Sequence, residues 1–266
     1  MVKLNIVSWN INSVRLRAPN VTAFAEAEAP DVICLQETKC RDGEFPVKTF
    51  ADAGYTHVHL KGQGGGHHGV AIVSKVPIEP IEAPDLCREG HARIVAVKVG
   101  GLDVHNIYLP AGGDEPDPET NEKFDHKLDF LARMKDYYAK PAPQPLVLVG
   151  DLNVAPHEND VWSHKQLLKI VSHTPVETEA LEAARAAGGF TDVARAAVPD
   201  DQKLYTWWSY RARDWSASNR GRRLDHIWAN GAASAGVDLA SYRIHLGWRG
   251  GWKPSDHAPI SVSIGI

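Results

Sequence analysis

The run Leu146-Val147-Leu148-Val149-Gly150-Asp151-Leu152-Asn153 decides how the chain is read, because four apolar residues pass directly into a glycine, a carboxylate and an amide. A short apolar run ending in turn chemistry predicts a buried strand. The loop at the end of such a strand is where a rigid scaffold presents reactive groups. The arrangement recurs. Val32-Ile33-Cys34-Leu35 ends in Gln36-Glu37-Thr38, and Ser255-Asp256-His257 stands immediately before the apolar run 258–264. Asp225 lies inside Arg223-Leu224-Asp225-His226-Ile227, and a carboxylate within an apolar strand needs a partner. Singly, Glu37 and Asp151 read as turn or helix-capping residues, and Asp256-His257 as a surface turn. Their joint occurrence points to a reactive centre.

Further strand-like runs at 3–9, 55–60, 69–74, 93–99 and 102–109 surround only a few helices. One helix is expected from an Asp117 N-cap and Pro118 to about Tyr138, with Phe124, Leu128 and Leu131 at helical spacing. A second starts at Thr174-Pro175-Val176-Glu177, a capping-box spacing, and stops at Gly188-Gly189. A third covers 15–28 and contains Pro19. Many strands with few long helices predict an α/β sandwich rather than a strict βαβ repeat. The proline-rich connection 140–145 is where the core is expected to divide into halves. Both halves place an asparagine just past an apolar strand, Asn10 and Asn153, which suggests a faint pseudo-repeat.

The 266 residues suffice for one large α/β domain, and the reading is a single domain over 1–266. No apolar run approaches the ~20 residues that span a bilayer. Met1-Val2-Lys3-Leu4-Asn5 passes straight into a strand pattern without leader chemistry, so a cytoplasmic protein with no membrane partner is expected. Cys34, Cys40 and Cys87 form no C-x-x-C pair, which suggests neither a disulfide framework nor a thiolate zinc site. A net charge of −4 argues against a protein that coats DNA, while leaving room for a local basic patch.

Carboxylate and amide oxygens are hard ligands that suit Mg²⁺ or Mn²⁺, and magnesium leaves room for waters and a substrate phosphate. Zinc is disfavoured, since there is no H-E-x-x-H. His67-His68, in the glycine-rich stretch 64–69, lack helical spacing and read as a surface loop. That stretch is followed by no G-K-[ST] and opens no helix, which excludes a Walker A loop and a dinucleotide fingerprint. No G-x-S-x-G supports a serine triad.

The segments Trp9-Asn10-Ile11-Asn12, Leu35-Gln36-Glu37-Thr38-Lys39, Tyr108-Leu109-Pro110, Gly150-Asp151-Leu152-Asn153, Asn219-Arg220-Gly221-Arg222-Arg223-Leu224-Asp225 and Ser255-Asp256-His257-Ala258-Pro259 resemble the exonuclease III and apurinic/apyrimidinic (AP) endonuclease branch of the endonuclease/exonuclease/phosphatase superfamily. They occur in family order along essentially the whole chain. The resemblance implies a four-layer α/β sandwich, two packed mixed sheets flanked by helices. It implies Glu37 as the main magnesium ligand, helped by Asn10 and, in some metal positions, by Asp151, Asn153, Asp256 and His257. It implies that Asp151 orients or deprotonates the attacking water, that Asn153 holds that water or the phosphorane, and that Tyr108 contacts the phosphate or the leaving oxygen. His257 would hydrogen-bond a phosphate oxygen, with Asp225 fixing its tautomer and raising its pKa.

Between Trp207 and Arg223 the chain interleaves Trp207, Trp208, Tyr210 and Trp215 with Arg211, Arg213, Arg220, Arg222 and Arg223. Such a mixture neutralises phosphates and stacks on bases, against the plainer reading of core tryptophans with solvated arginines. Trp248-Arg249-Gly250-Gly251-Trp252-Lys253 is a second such stretch. In the family, an apolar pocket for a flipped sugar is implied at Trp207, Trp208 and Leu224, with Arg220 nearby. Arg222 stands where the pattern carries a large apolar residue, a departure that bears on abasic-site preference more than on hydrolysis. The expected function is a monomeric DNA-repair nuclease acting on double-stranded DNA, abasic or with 3′ ends. It would combine 3′→5′ exonuclease, AP-endonuclease and 3′-phosphatase activities. The alternative is a phosphatase or phosphodiesterase of the same superfamily acting on a small-molecule or lipid phosphate.

Overall fold

The computed structural model describes residues 3–142 and 144–266, so Met1, Val2 and Pro143 of the 140–145 connection lie outside the described residues. Strands β1 (Lys3–Asn10), β2 (Val32–Gln36), β3 (His57–Lys61) and β4 (Val70–Ser74) enter one sheet. The next run, β5 (Glu79–Ile81), β6 (Ile94–Val99), β7 (Leu102–Tyr108), β8 (Leu146–Asp151) and β9 (Thr191–Asp192), enters a second. A two-stranded ribbon follows, β10 (Trp207–Trp208) with β11 (Gly221–Arg222). β12 (Asp225–Ala229) completes the second sheet, and β13 (Val237–Ile244) and β14 (Ile260–Gly265) return to the first. The two six-stranded orders are β13-β14-β1-β2-β4-β3 and β5-β6-β7-β8-β12-β9. The chain therefore changes sheets between β4 and β5, at residues 75–78, and not at 140–145, which leads into β8 inside the second sheet.

Pairing senses run alike in both sheets. β1 lies antiparallel to β14 and parallel to β2, while β8 lies antiparallel to β12 and parallel to β7. β1 and β8 thus hold equivalent places, but the residue of β8 that corresponds to Asn10 is Asp151, and Asn153 lies two residues beyond the strand. Parallel pairs need a covered crossover. Helix α1 (Val14–Glu28) supplies the one from β1 to β2, and α2 (Val47–Asp52) packs beside it. Helix α3 (Glu122–Tyr138) supplies the one from β7 to β8. After the short α4 (His164–Leu167), α5 (Pro175–Ala187) packs along α3. The helix expected from Asp117 begins later. Asn121 Oδ1 caps the Lys123 amide at 3.1 Å, while Asp117 Oδ1 is spent on the Glu119 amide in a preceding turn. Thr174 and Glu177 cap α5 reciprocally, as their spacing predicts.

Period-two alternation sorts each strand between two cores. Leu4 and Ile6, Val32 and Cys34, Val147 and Val149, and Ile227 and Ala229 meet between the sheets. Val7, Trp9, Ile33 and Leu35 face α1, and Leu146, Leu148 and Trp228 face α3 and α5. This is the four-layer α/β sandwich. The inward parity continues past the apolar residues at one end of the molecule. It reaches Ser8 and Asn10 on β1, Gln36 on β2, Asn106 and Tyr108 on β7, Asp151 on β8 and Asp225 on β12. Gln36 Nε2 donates to Ser8 Oγ and Asn106 Oδ1, and Asn106 Nδ2 donates to the Leu35 and Ala71 carbonyls. The sheets are joined there by a hydrogen-bonded polar layer, in which Gln36 Oε1 is left buried without a partner, and above it the polar ends open.

Gly150 has a φ of 146°, and a Cβ on it would overlap the Ile107 backbone carbonyl. Gly150→Ala is expected to cost more than about 2 kcal/mol in denaturant unfolding. Gly231→Ala, where a Cβ meets nothing within 4 Å, is expected to stay within about 1 kcal/mol of wild type. Equal stability of the two variants would contradict the packing described for β8.

Candidate active site

Six chain-distant segments converge where the polar parity ends, at the ends of β1, β2, β7 and β8, the start of β12 and the entry to β14. Ser255 Oγ donates to the Asn10 carbonyl at 2.6 Å and Trp9 Nε1 to the His257 carbonyl at 3.1 Å, which seats the entry to β14 against the end of β1. Turns leave the strands steeply: Asn12, Ser13, Glu37, Lys39 and Asn153 all have positive φ. Left-handed conformations in non-glycine residues are costly and gather at sites that use the resulting side-chain direction.

The side chains meet in one hydrogen-bonded set. Asn10 Nδ2 lies 2.8 Å from both Glu37 Oε1 and Asp151 Oδ2. The Tyr108 hydroxyl donates to Glu37 Oε1 at 3.0 Å, and Lys39 Nζ is 2.7 Å from Glu37 Oε2. Asn153 donates its amide N–H to Asp151 Oδ1 and its side-chain Nδ2 to Asp151 Oδ2. On the far side, His257 Nδ1 donates to Asp225 Oδ2 at 2.8 Å while Nε2 faces Asp151 Oδ2 at 3.8 Å. Asp256 accepts from Asn12 Nδ2 and Trp207 Nε1.

Burial acts on these groups in opposite directions. It pushes the Asp151 carboxyl up, to about 7, with Asp225 and Glu37 adding to the rise and His257 opposing it. Burial alone would lower His257, but Asp225 and Asp151 overcome it and hold the imidazolium up to about 10. Tyr108 is raised by burial and by Glu37, so it stays a phenol.

Asp151, Asp225 and His257 offer ligand atoms within 4.8 Å of one another. Within that trio His257 and Asp225 are already joined through Nδ1 at 2.8 Å, which leaves Nε2 as the one imidazole atom still open to a ligand. The seat that fits a metal is on the Glu37–Asn10–Asp151 side. Among the described residues, the carboxylates of Glu37, Asp151, Asp225 and Asp256 are contacted by two cationic side chains, Lys39 and His257. The excess negative charge and the hard oxygen donors suit a divalent cation.

The predicted wall residues separate. Trp207 is half-buried and tied to Asp256, and Leu224 is buried behind it with Ala155, Val161 and Leu167. Trp208 is only 3% exposed and packs in the core with Tyr205 and Ala258. Arg220 is exposed, with its guanidinium 4.6 Å above the Trp162 ring. Arg223 is no part of a DNA-facing patch: it is fully buried on Asp160 and Asp192. Arg249 is likewise buried, against Tyr210 and Trp215. His68 is not a free surface residue. It stacks on His91, lies near Tyr108, and accepts from Arg93 through Nε2, and burial with Arg93 drives its pKa down to about 3. Asn12, Lys39 and Arg93 were not assigned roles from sequence. The first two stand inside motifs quoted above, two residues past Asn10 and Glu37.

Hard carboxylate oxygens that would suit a divalent cation, set beside a protonated histidine, are the chemistry that hydrolysis of a phosphate ester needs. The chain belongs to the endonuclease/exonuclease/phosphatase family, whose model matches residues 7–257. It is 33% identical to exodeoxyribonuclease III of Haemophilus influenzae, over 97% of this chain and 98% of that one. It is similar to the solved AP endonuclease of Archaeoglobus fulgidus, at 30% identity and a TM-score of 0.90, covering 99% and 100% of the two chains. A Neisseria 3′ phosphatase bound to a product DNA hairpin superposes with a TM-score of 0.88 at 28% identity, over 99% and 100%. The protein is thus a phosphodiester hydrolase of the exonuclease III and AP endonuclease branch.

A base must be unprotonated and the phosphate clamp protonated, so kcat/KM is expected to rise as Asp151 loses its proton, with an acid limb no higher than about 7. Bound metal favours the carboxylate and moves that limb lower. The alkaline limb falls near 10, where His257 loses its proton, and Asp225→Asn, which removes the chief upward influence, brings it down toward neutrality. A pH–rate profile of Asp225→Asn with an unmoved alkaline limb would refute the clamp.

Proposed function

We propose that the protein is a magnesium-dependent DNA-repair nuclease, also served by Mn²⁺, with 3′→5′ exonuclease, AP-endonuclease and 3′-phosphatase activities on double-stranded DNA. The observation that carries it is the Asp225–His257 imidazolium facing the buried Asp151 across 3.8 Å, beside Glu37 and Asn10. Nothing fits in line between His257 Nε2 and Asp151 Oδ2, but a single oxygen lying to the side of the pair is within hydrogen-bond reach of both. DNA as substrate is supported by relatives bearing nuclease names and by the Neisseria neighbour, whose structure holds DNA.

Glu37, Asn10 and Asp151 would hold the metal, with Asn153 and Asp256 within reach, and the bound ion would supply neutralisation of the phosphate and of the leaving oxygen. Asp151 takes the proton of the attacking water. Asn153, pinned to both oxygens of Asp151, keeps that water in line. His257 donates to a non-bridging oxygen, and its orientation comes from Asp225. The Tyr108 hydroxyl, drawn to Glu37, stands ready to donate to the phosphate or the leaving oxygen. The described fold functions as one unit, since β14 carries His257 to the end of β1. A monomer is part of the proposal, and no described helix is long and apolar enough to cross a membrane.

One gel tests the proposal: an abasic duplex and a blunt duplex, each with magnesium, manganese or chelator. Metal-dependent incision of the first and shortening of the second are expected, with Asp151→Asn losing at least about 10³-fold in rate while still binding DNA. Hydrolysis of an inositol phosphate with both duplexes left intact would sink the DNA assignment.

A further inference from the structure

The more buried cations fall into two sets, and Arg17, Arg93 and Arg249 stand with Arg222 in the set that no carboxylate holds among the described residues, their hydrogen bonds going to carbonyls, Tyr210 and His68. Arg223, Arg195 and Lys127 are each held by carboxylates: Asp160 and Asp192, Asp160, and Glu177 respectively. Arg222, the immediate neighbour of Arg223, is half-buried and pairs with no carboxylate among the described residues. Its protein hydrogen bonds all run through Nη1, to the Val171 carbonyl at 3.0 Å and Ser172 Oγ at 2.7 Å. Burial works against its charge, and only Glu177, already engaged by Lys127, offsets this. Its Nε and Nη2 make no protein hydrogen bond and, unlike Arg223 Nε, are not sealed from solvent.

The position of this cation matters. β10 and β11 pair Trp207 with Arg222, and the guanidinium lies 5.4 Å from the centre of the Trp207 ring. The edge of the same indole donates to Asp256 Oδ2 at 2.9 Å, and the Trp207 backbone bridges to His257. Arg222 therefore stands one indole ring away from the reacting centre, in the wall formed with Leu224. A neutral sugar pressed against that wall would strip water from an unpaired cation and return nothing. A terminal phosphate, with one more negative oxygen than a diester, returns a charge-assisted contact.

We propose that Arg222 is a specificity-determining residue that turns this site toward DNA 3′-terminal phosphomonoesters and away from internal abasic sites. The proposal rests on the nuclease reading above. In a diester, the third substituent on phosphorus continues into the next sugar; in a 3′-phosphate it is a bare oxygen, directed at the Trp207–Arg222 wall. Water forms the new P–O bond and passes its proton to Asp151. The P–O3′ bond breaks, and the 3′ oxygen takes up a proton to leave a 3′-hydroxyl and inorganic phosphate.

The test is kcat/KM of the metal-loaded enzyme on two duplexes, one with a 3′-phosphate at a nick and one with an internal abasic site. For Arg222→Leu the ratio of 3′-phosphate to abasic activity is expected to fall by about tenfold or more, chiefly through KM for the 3′-phosphate. Arg222→Lys, which keeps the charge, should retain most of the wild-type ratio. Arg222→Gln, which keeps hydrogen bonding without charge, should lose it, and this pair carries the test if the leucine variant does not fold. A ratio unchanged in the glutamine variant, or lost equally with lysine and glutamine, overturns the proposal. A wild-type enzyme hydrolysing neither duplex would overturn the nuclease reading as well.

Discussion

The Asp151 carboxylate is 1% exposed at the end of a strand whose inward neighbours are Val147 and Val149. A charge in that position is costly unless partners meet it, and the partners must come from elsewhere in the chain because its own strand is apolar. Asn10 comes from the facing sheet, Asn153 from the turn that follows, and the His257 imidazolium from the entry to the last strand. His257 in turn keeps its proton because Asp225, fully buried on the adjacent strand, holds Nδ1. The demand of one buried carboxylate therefore specifies how the two sheets align at this end. It also explains why the site gathers residues nearly 250 positions apart, as Ser255 and Asn10 are.

Around that centre the scaffold separates structural charge from available charge. Asp160, with Arg223 and Arg195, locks the turn after β8 to the start of β12, and every charge in it is answered. Lys127 reaches from α3 to the carbonyls of Ala111 and Asn153 and to Glu177, fixing the turns after β7 and β8 together. Such networks cost desolvation, and their return is position rather than raw stability. Arg222 differs in kind, since it pairs with no carboxylate among the described residues and keeps donors free beside Trp207. This reconciles a net charge of −4 with a polyanionic substrate: the arginine cluster visible in the sequence is partly spent inside the protein, and only a subset faces outward.

Glu37, Asp151, Asn153, Asp225 and His257 were all legible in the sequence because each stands at an abrupt change from apolar to polar residues, and the resemblance carried by six ordered motifs supplied their roles. The strands were legible for the same reason, through alternation and apolar runs. What misled were signals without a tertiary counterpart. Asp117-Pro118 has the chemistry of a helix start, yet Asn121 takes the cap. Lys140–Pro145 looks like a hinge between halves, yet the chain changes sheets at 75–78, where nothing in composition marks it. Trp208, Arg223 and Arg249 have surface-patch composition but are buried, since a local window cannot tell which side of a short ribbon is covered.

By itself, then, the sequence determined the strand pattern, the family and the polar residues at the strand ends, because side-chain parity and turn chemistry act over a few residues. Tertiary structure alone decided which sheet each strand joins and which arginines are neutralised. It also decided that Asp151 and His257 face each other, with the proton affinity of both raised. Those outcomes depend on burial and on partners far apart in the chain, and neither is written in any local stretch such as Leu146–Asp151.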